Sequence, residues 1–261
     1  MKTRMLVALA VCGLLVGSVQ AAVIPSTVSS VSYDYDQMLK VTTNATTLTF
    51  WSDAGVWVKD RPITWSSPSV SPSALGPADF VVNDQYKPAV EITRHPLWLY
   101  PLPANGNANW ISTSAFGSTP DVDTNSGLYA IMLYDNQGNE TIQGALVDLY
   151  FTADNFLGGN GASALYFNGE AVTAANNGLW GNFETAALQL FKNQYDLHFS
   201  VDLTPGQNWL YLDATSFFGP AGVIFAGEVN FATVTSERIP EPVSMSLLAA
   251  GAVGLLIRRK R

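Results

Sequence analysis

The chain has 261 residues, with thirteen Lys or Arg against twenty-one Asp or Glu, and a formal net charge of −8. One cysteine and two histidines exclude a disulfide framework and any Cys-based metal site. The acidic balance argues against nucleic acid or anionic lipid as the main partner.

At the start of the chain, Met1-Lys2-Thr3-Arg4 is a basic n-region and Met5 to Val19 an apolar h-region. Val19-Gln20-Ala21 puts small residues at the two positions that direct cleavage before Ala22. Residues 1–21 therefore read as a secretory signal peptide. The only cysteine, Cys12, lies inside it. Lipidation at Cys12 is disfavoured, because Val11 stands where a small residue is needed and the apolar run continues past it. The exported segment then has no thiol chemistry. Setting aside Lys2, Arg4, Glu241 and the four terminal basic residues leaves seven basic and twenty acidic residues, a net charge of about −13. Abundant Gly, Ser, Thr, Asn and aromatics with so few charges fit an extracellular β protein.

Leu39 to Trp51 and Gly55 to Lys59 fit strands of an opening sheet. Pro62 to Pro88 is rich in Ser and Pro, as a long surface loop or a junction would be, and Pro96 to Pro103 repeats that character around Trp98. Leu128 to Tyr134 reads as a strand. Ala145, Val147, Leu149 and Phe151 then alternate with Leu146, Asp148 and Tyr150. Leu165-Tyr166-Phe167, Asn168-Gly169 and Glu170-Ala171-Val172 spell a tight hairpin, because Asn-Gly tolerates positive φ. One short helical turn fits between Asn176 and Leu190. Tyr195, Leu197, Phe199, Val201 and Leu203 alternate with Asp196, His198, Ser200 and Asp202, giving one buried and one wet face. Thr204-Pro205-Gly206-Gln207 places Pro and Gly as a type II turn needs them. Trp209 to Asp213 reads as the returning strand, and Val223 to Phe231 as another. The expected fold is all-β, a β-sandwich or jelly roll. Residues 22–109 contribute N-terminal strands and Ser/Pro-rich loops to that sandwich.

Residues 110–236 carry an ordered series of motifs. They are Trp110-Ile111-Ser112, Ser126-Gly127-Leu128-Tyr129, Ala153-Asp154-Asn155, Leu165 to Gly169, Leu203 to Leu210, and Gly219-Pro220-Ala221-Gly222. In order and spacing this stretch resembles the galactose-binding-like jelly roll found beside glycosidase domains and in many secreted proteins. The resemblance implies fold more than function. The run Gly158-Gly159-Asn160-Gly161 departs from typical members.

After Arg238 the composition changes. Pro240-Glu241-Pro242 is followed by an uncharged apolar stretch from Val243 to Ile257, then by Arg258-Arg259-Lys260-Arg261. As a helix the apolar stretch spans roughly 22 Å at 1.5 Å per residue, short of the ~30 Å hydrocarbon core. Snorkelling basic side chains can cover the deficit and fix that end on the cytoplasmic side. A plain C-terminal membrane anchor is one reading. Motif, small-residue helix and basic cluster together make residues 239–261 resemble the PEP-CTERM sorting signal of Gram-negative bacteria that make exopolysaccharide. That resemblance implies recognition by an exosortase, transient anchoring in the inner membrane, and delivery to the cell envelope, the outer surface or the medium.

The chemistry-bearing residues are sparse. Asp121, Asp123 and Asn125 alternate oxygen ligands as a calcium loop does, although the following glycine falls one place late for an EF-hand. Calcium is the only cofactor indicated, against a polar turn before a strand. His95 precedes Pro96 in a loop and His198 falls on a wet face. Neither has a His or Cys partner in sequence, so a zinc site or a Ser-His-Asp triad is not indicated. Asp148, Asp154, Glu170 and Asp202 could supply a glycosidase pair, but any acidic protein offers such pairs, and no catalytic residue is assigned. Sugar binding needs an aromatic platform beside hydrogen-bonding groups. Trp98, Trp110 and Trp180 lie in loop-like surroundings, the last two Asn-rich, and are the candidate platforms; packing in a core or loop is the alternative for each. Trp209 alternates within a strand and reads as core. The functional expectation is a non-enzymatic surface or matrix protein that binds exopolysaccharide. A secreted polysaccharide hydrolase and a purely structural envelope protein are the alternatives.

Overall fold

The structure is a computed structural model that describes residues 23–34, 39–61, 63–66, 69–72, 74–99, 102, 106–114, 126–154, 156–157, 164–182, 192–215 and 221–238. The signal segment 1–21 with Cys12, the sorting segment 239–261 with Pro240, Glu241, Pro242 and the basic cluster, the loop with Asp121, Asp123 and Asn125, and the glycine run at 158–161 lie outside the described residues. No helix among the described residues is long and apolar enough to cross a membrane.

The opening strands are β1 (Val23–Asp34), β2 (Leu39–Trp51), β3 (Trp57–Asp60), β4 (Ile63–Ser66), β5 (Ser69–Pro72), β6 (Lys87–Pro88), β7 (Val90–Glu91) and β8 (Ile111–Ser112). The remainder are β9 (Gly127–Asn136), β10 (Ile142–Asp154), β11 (Phe156–Leu157), β12 (Leu165–Phe167), β13 (Glu170–Ala171), β14 (Trp180–Asn182), β15 (Tyr195–Leu203), β16 (Gly206–Thr215) and β17 (Gly222–Arg238). They form two antiparallel sheets packed as a sandwich, as the alternating pattern predicts. One sheet runs β1-β2-β17-β10-β15-β14, the other β13-β12-β16-β9-β3-β6, and β4-β5 is a separate ribbon. Residues on both sides of position 110 enter both sheets, since β2 pairs with β17 and β3 with β9.

The core lies between the sheets, where period two requires it. Leu48, Phe50, Leu149, Phe151, Leu197, Phe199, Phe225 and Val229 of the first sheet meet Tyr129, Ile131, Leu165, Leu210 and Leu212 of the second. The Asn168-Gly169 hairpin forms as expected, with φ of 49° and 89° at the two turn residues. Gly206 adopts the positive φ, 88°, that its turn requires. That turn does not return the chain to β15, however. β16 pairs with β9 and β12 in the opposite sheet. The apolar faces of β15 and β16 can then oppose each other across the core instead of lying side by side. Asn208 holds this corner from a buried position, its carboxamide accepting from Thr204 N and donating to the carbonyls of Thr204 and Gly206.

Two segments that read as loops are apolar covers. The stretch 75–86 lays Phe80 against Tyr166 and Tyr211 on the outer face of the second sheet. Trp209 is half-buried beside it, on this outer face and not in the inter-sheet core. The stretch 92–110 lays Trp98, Leu102 and Trp110 over Trp51, Ile224 and Ala226 on the outer face of the first sheet. Among the described residues one α-helical turn forms, α1 (Ala174–Asn177), capped by Thr173 Oγ1 accepting from Asn176 N; residues 183–190 of the range expected to hold a turn lie outside the described residues.

Gly227 sits on the inner face of β17, paired with Phe50 of β2. A Cβ there would lie 2.3 Å from the Asp148 carbonyl oxygen and 2.6 Å from Phe50 Cζ. The Phe50 ring occupies the space that a side chain would take. Gly227→Val should therefore destabilise the fold by about 1–3 kcal/mol through overpacking, read as a lowered urea midpoint with an unchanged m-value.

Candidate functional site

Trp180, Trp98 and Trp110 separate sharply. Trp98 and Trp110 are each only 3% exposed, so the expectation of exposed rings at these two positions is corrected. Their indoles stack on each other with centroids 4.2 Å apart. The Trp98 Nε1–H donates to Asp154 Oδ2 at 2.8 Å, and the Trp110 Nε1–H to the Leu99 carbonyl at 3.1 Å. Indoles with a partner for their N–H pack well under a loop, and here they seal the first sheet. His95 joins that cover, its ring tilted 5.8 Å from Trp98.

Trp180 is 65% exposed. It lies on β14, a three-residue strand at the sheet edge, opposite His198 of β15, which in turn stands opposite Asp148 of β10. The indole and imidazole stack with centroids 4.0 Å apart and planes 21° from parallel. His198 Nδ1 contacts Asp148 Oδ1, and its Nε2 lies 3.3 Å from Asp196 Oδ2. The Asp148 hydrogen bond, aided by Asp196 and opposed by partial burial, holds the imidazole pKa above its ordinary 6.5. In its protonated form the ring donates from both nitrogens, and it then lies against the Trp180 face as a cation–π contact.

Gly181 makes this approach possible. Its φ is 142°, and a Cβ would fall 2.2 Å from the Asp196 carbonyl oxygen. Only glycine lets β14 lie so close to β15 and bring Trp180 over His198.

A cleft of about 390 Å³ opens further along β15, its lining including Asn168, Glu170, Asn176, Asn177, Ser200 and Asp202 but neither ring of the platform. Ser200 follows His198 on the same face of β15. Several of these groups have structural work. Asn177 donates to the Ser200 carbonyl and accepts from Thr173 N, tying α1 to the sheet. Asn168 Oδ1 accepts from Trp209 N, and Asp202 Oδ1 from Gly144 N. Asn176 and Glu170 face solvent. A larger groove of about 680 Å³ separates the 136–143 turn from Ala232–Thr235 of β17, with Tyr134 in its lining.

Of the four acids raised as a hydrolytic pair, two hold other side chains and two line the cleft. Asp148 holds His198. Asp154 is buried under Trp98, and burial pushes its carboxyl up to about 6 against the opposing Trp98 hydrogen bond. Glu170 and Asp202 share the cleft. Both His198 nitrogens face carboxylates and not a hydroxyl, so the cluster is not a nucleophile–base pair. Among the described residues, no group of three or more His, Cys, Asp or Glu is arranged to hold a metal ion. The other buried acid, Asp213, pairs with Arg61 in the layer behind the second sheet, where burial raises its carboxyl to about 6 against the guanidinium.

Sequence reasoning flagged Trp180 and placed His198 on a wet face. It did not join them, since the chain separates them by a segment with no pairing signal. Comparison with protein-family models, curated proteins and solved structures finds no match for this chain.

Two pH effects follow from these shifts. The His198 pairing stabilises the fold fully below pH 6.5 and is lost as pH rises through the raised folded pKa. Asp148→Asn should lower the His198 pKa, followed by NMR of the imidazole, and narrow that window. Asp154, raised from 3.8 to about 6, contributes stability below 3.8 that is lost as pH climbs through about 6. Asp154→Asn should remove that loss, on the order of 2–3 kcal/mol at 1.36 kcal/mol per pKa unit, seen in urea unfolding at matched pH values.

Proposed function

We propose that this chain is an exported surface or matrix protein, sorted through its PEP-CTERM-like tail, that binds polysaccharide non-enzymatically at the Trp180–His198 platform. One observation carries the binding reading. A large aromatic ring stands 65% exposed on a sheet edge, braced from behind by the His198 imidazole, with a polar cleft further along β15. The apolar face of a sugar ring stacks on such an indole, and carboxylate, amide and hydroxyl groups beside it take the sugar hydroxyls. Bracing fixes the ring before the ligand arrives, which lowers the entropy lost on binding.

The supporting fold is jelly-roll-like. Successive long strands pass from sheet to sheet, as at β9–β10, β15–β16 and β16–β17, and the last strand lies beside β2, the second. The charges around the platform bear on its ligand. Asp148 and Asp196 outnumber the one imidazole even when it is protonated, Glu228 is the cross-strand neighbour of Asp148, and Glu170 and Asp202 line the cleft. This acidic setting favours neutral or amino-sugar polymers and repels uronate or sulfated ones.

Trp180→Ala should weaken retention by a neutral or amino-sugar exopolysaccharide about thirtyfold, the ~2 kcal/mol of an interface anchor. The substitution removes an exposed ring, so the unfolding midpoint should barely change. Affinity electrophoresis in gels containing each polymer class reads the effect. Equal retention of Trp180→Ala and the parent chain would sink the platform.

A further inference from the structure

We infer that the edge strand β1 pairs antiparallel with β1 of a second copy of this chain, about a two-fold axis at Val28. The inference is independent of the platform, which lies on the opposite edge of the same sheet.

Among the described residues β1 has a strand neighbour, β2, on one side only. The ladder between them runs over all twelve residues, Val23↔Phe50 to Asp34↔Leu39, without a register shift. Its other edge is therefore a straight row of backbone donors and acceptors, and only another extended chain matches it. Ten consecutive residues, Ile24 to Tyr33, are exposed. Four large apolar side chains stand among them, Ile24, Val28, Val31 and Tyr33, with Val28 71% exposed.

Edge strands of soluble proteins are ordinarily blunted by lysines, bulges or inward charges. Of these β1 has none; its one blunting feature is a proline near its base, which removes a single N–H. Val23 to Tyr33 carries no charge, Asp34 closes the far end, and Pro25 lies near the base.

A second copy fits this edge better than an unrelated strand for two reasons on the strand itself. A two-fold at Val28 sets Val28 against Val28, Val23 against Tyr33 and Pro25 against Val31, apolar to apolar, with Ser26 facing Ser30 and Thr27 facing Ser29. It also brings no like charges together, because Asp34 falls beyond the partner's Val23. In a chain of net charge −8, such an uncharged strip is where two copies meet with least repulsion.

The contact is modest. Twelve residues at ~3.3 Å make a strip about 40 Å long, and a sheet is about 10 Å thick. That is about 400 Å² per copy and about 800 Å² in all, below the ~1,200 Å² of a stable interface. The pairing is thus weak in dilute solution and grows with local concentration, as on a crowded surface.

The test uses the full-length chain with Cys12→Ser, in mild detergent, carrying one new cysteine. Under mild oxidation Val28→Cys should give a disulfide-linked dimer. Ile24→Cys mixed with Ser32→Cys should cross-link several-fold more than either alone. Val234→Cys, at a similarly exposed site on β17, is the control. Val28→Lys places two ammonium groups opposite each other and should lower the dimer fraction at least about tenfold in sedimentation at the highest soluble concentration. Val28 has little packing to lose, so these variants should keep the parent's unfolding midpoint. If Val28→Cys cross-links no better than Val234→Cys, or if Val28→Lys leaves the dimer fraction unchanged, the inference is overturned. A β1 edge that instead captured a strand of another protein would give that same negative result.

Discussion

The pairing of β17 with both β2 and β10 is the constraint on which the rest of the first sheet depends. β17 lies against residues 39–51 on one side and 146–154 on the other. The chain's early strand and its middle strand are not neighbours until this late strand separates and joins them. Its inner side chains, Val223, Phe225, Val229 and Phe231, are core, and Gly227 gives way to Phe50 of β2. Contacts this distant in sequence carry a loop-closure cost before they stabilise anything. Once β17 is in place, β10 is fixed, β15 pairs with β10, and β14 pairs with β15. Trp180 is the last side chain in that series, so the platform inherits its position from a strand some fifty residues further along the chain.

What the sandwich leaves open is decided by its two covers. A sheet has two faces, and each outer face here carries apolar residues that strand periodicity alone would expose. Ile224 and Ala226 would meet water without Trp98 and Trp110, and Tyr211 without Phe80. The covers end before the β10–β15–β14 edge. There the outward residues become Asp148, Asp196 and His198, which tolerate water, and the exposed large ring is Trp180. The bare edge at β1 and the bare ring at β14 thus bound the same sheet from opposite sides.

The legible part of this structure is the part written in local rules. Alternation in β10 and β15, Asn168-Gly169 and the Pro205-Gly206 turn each depend on residues within a few positions, and each formed. The partners of those strands were not legible, because register depends on distant residues. Gly206 dictated a turn but not whether the turn stays in one sheet or crosses the core. Trp98 and Trp110 misled for a related reason. Pro, Asn and Ser around them mark irregular backbone, but they say nothing about whether that backbone lies over water or over a sheet. The apolar residues within the segment, Leu97, Leu99 and Leu102 beside Trp98, were the available signal for a cover. β1 left no signal, since its neutral Ser, Thr and Val pattern buries neither face.

The contrast between the three tryptophans shows what an exposed aromatic requires. Each of the two buried indoles has an acceptor for its N–H and a second indole for its face, so water has been replaced on every side. Trp180 has one face on the His198 ring and is 65% exposed. Exposing that much apolar surface forfeits burial worth roughly 25 cal/mol per Å², and the strand holding it has only three residues. Its position persists because Gly181 lets the backbone close on Asp196, and because two carboxylates hold His198 beneath the ring. Those are specific devices spent on holding a ring outward, where a smaller polar residue would need none. A ring held outward in this way presents a flat apolar face, which is the shape that the proposed sugar ligand would stack on.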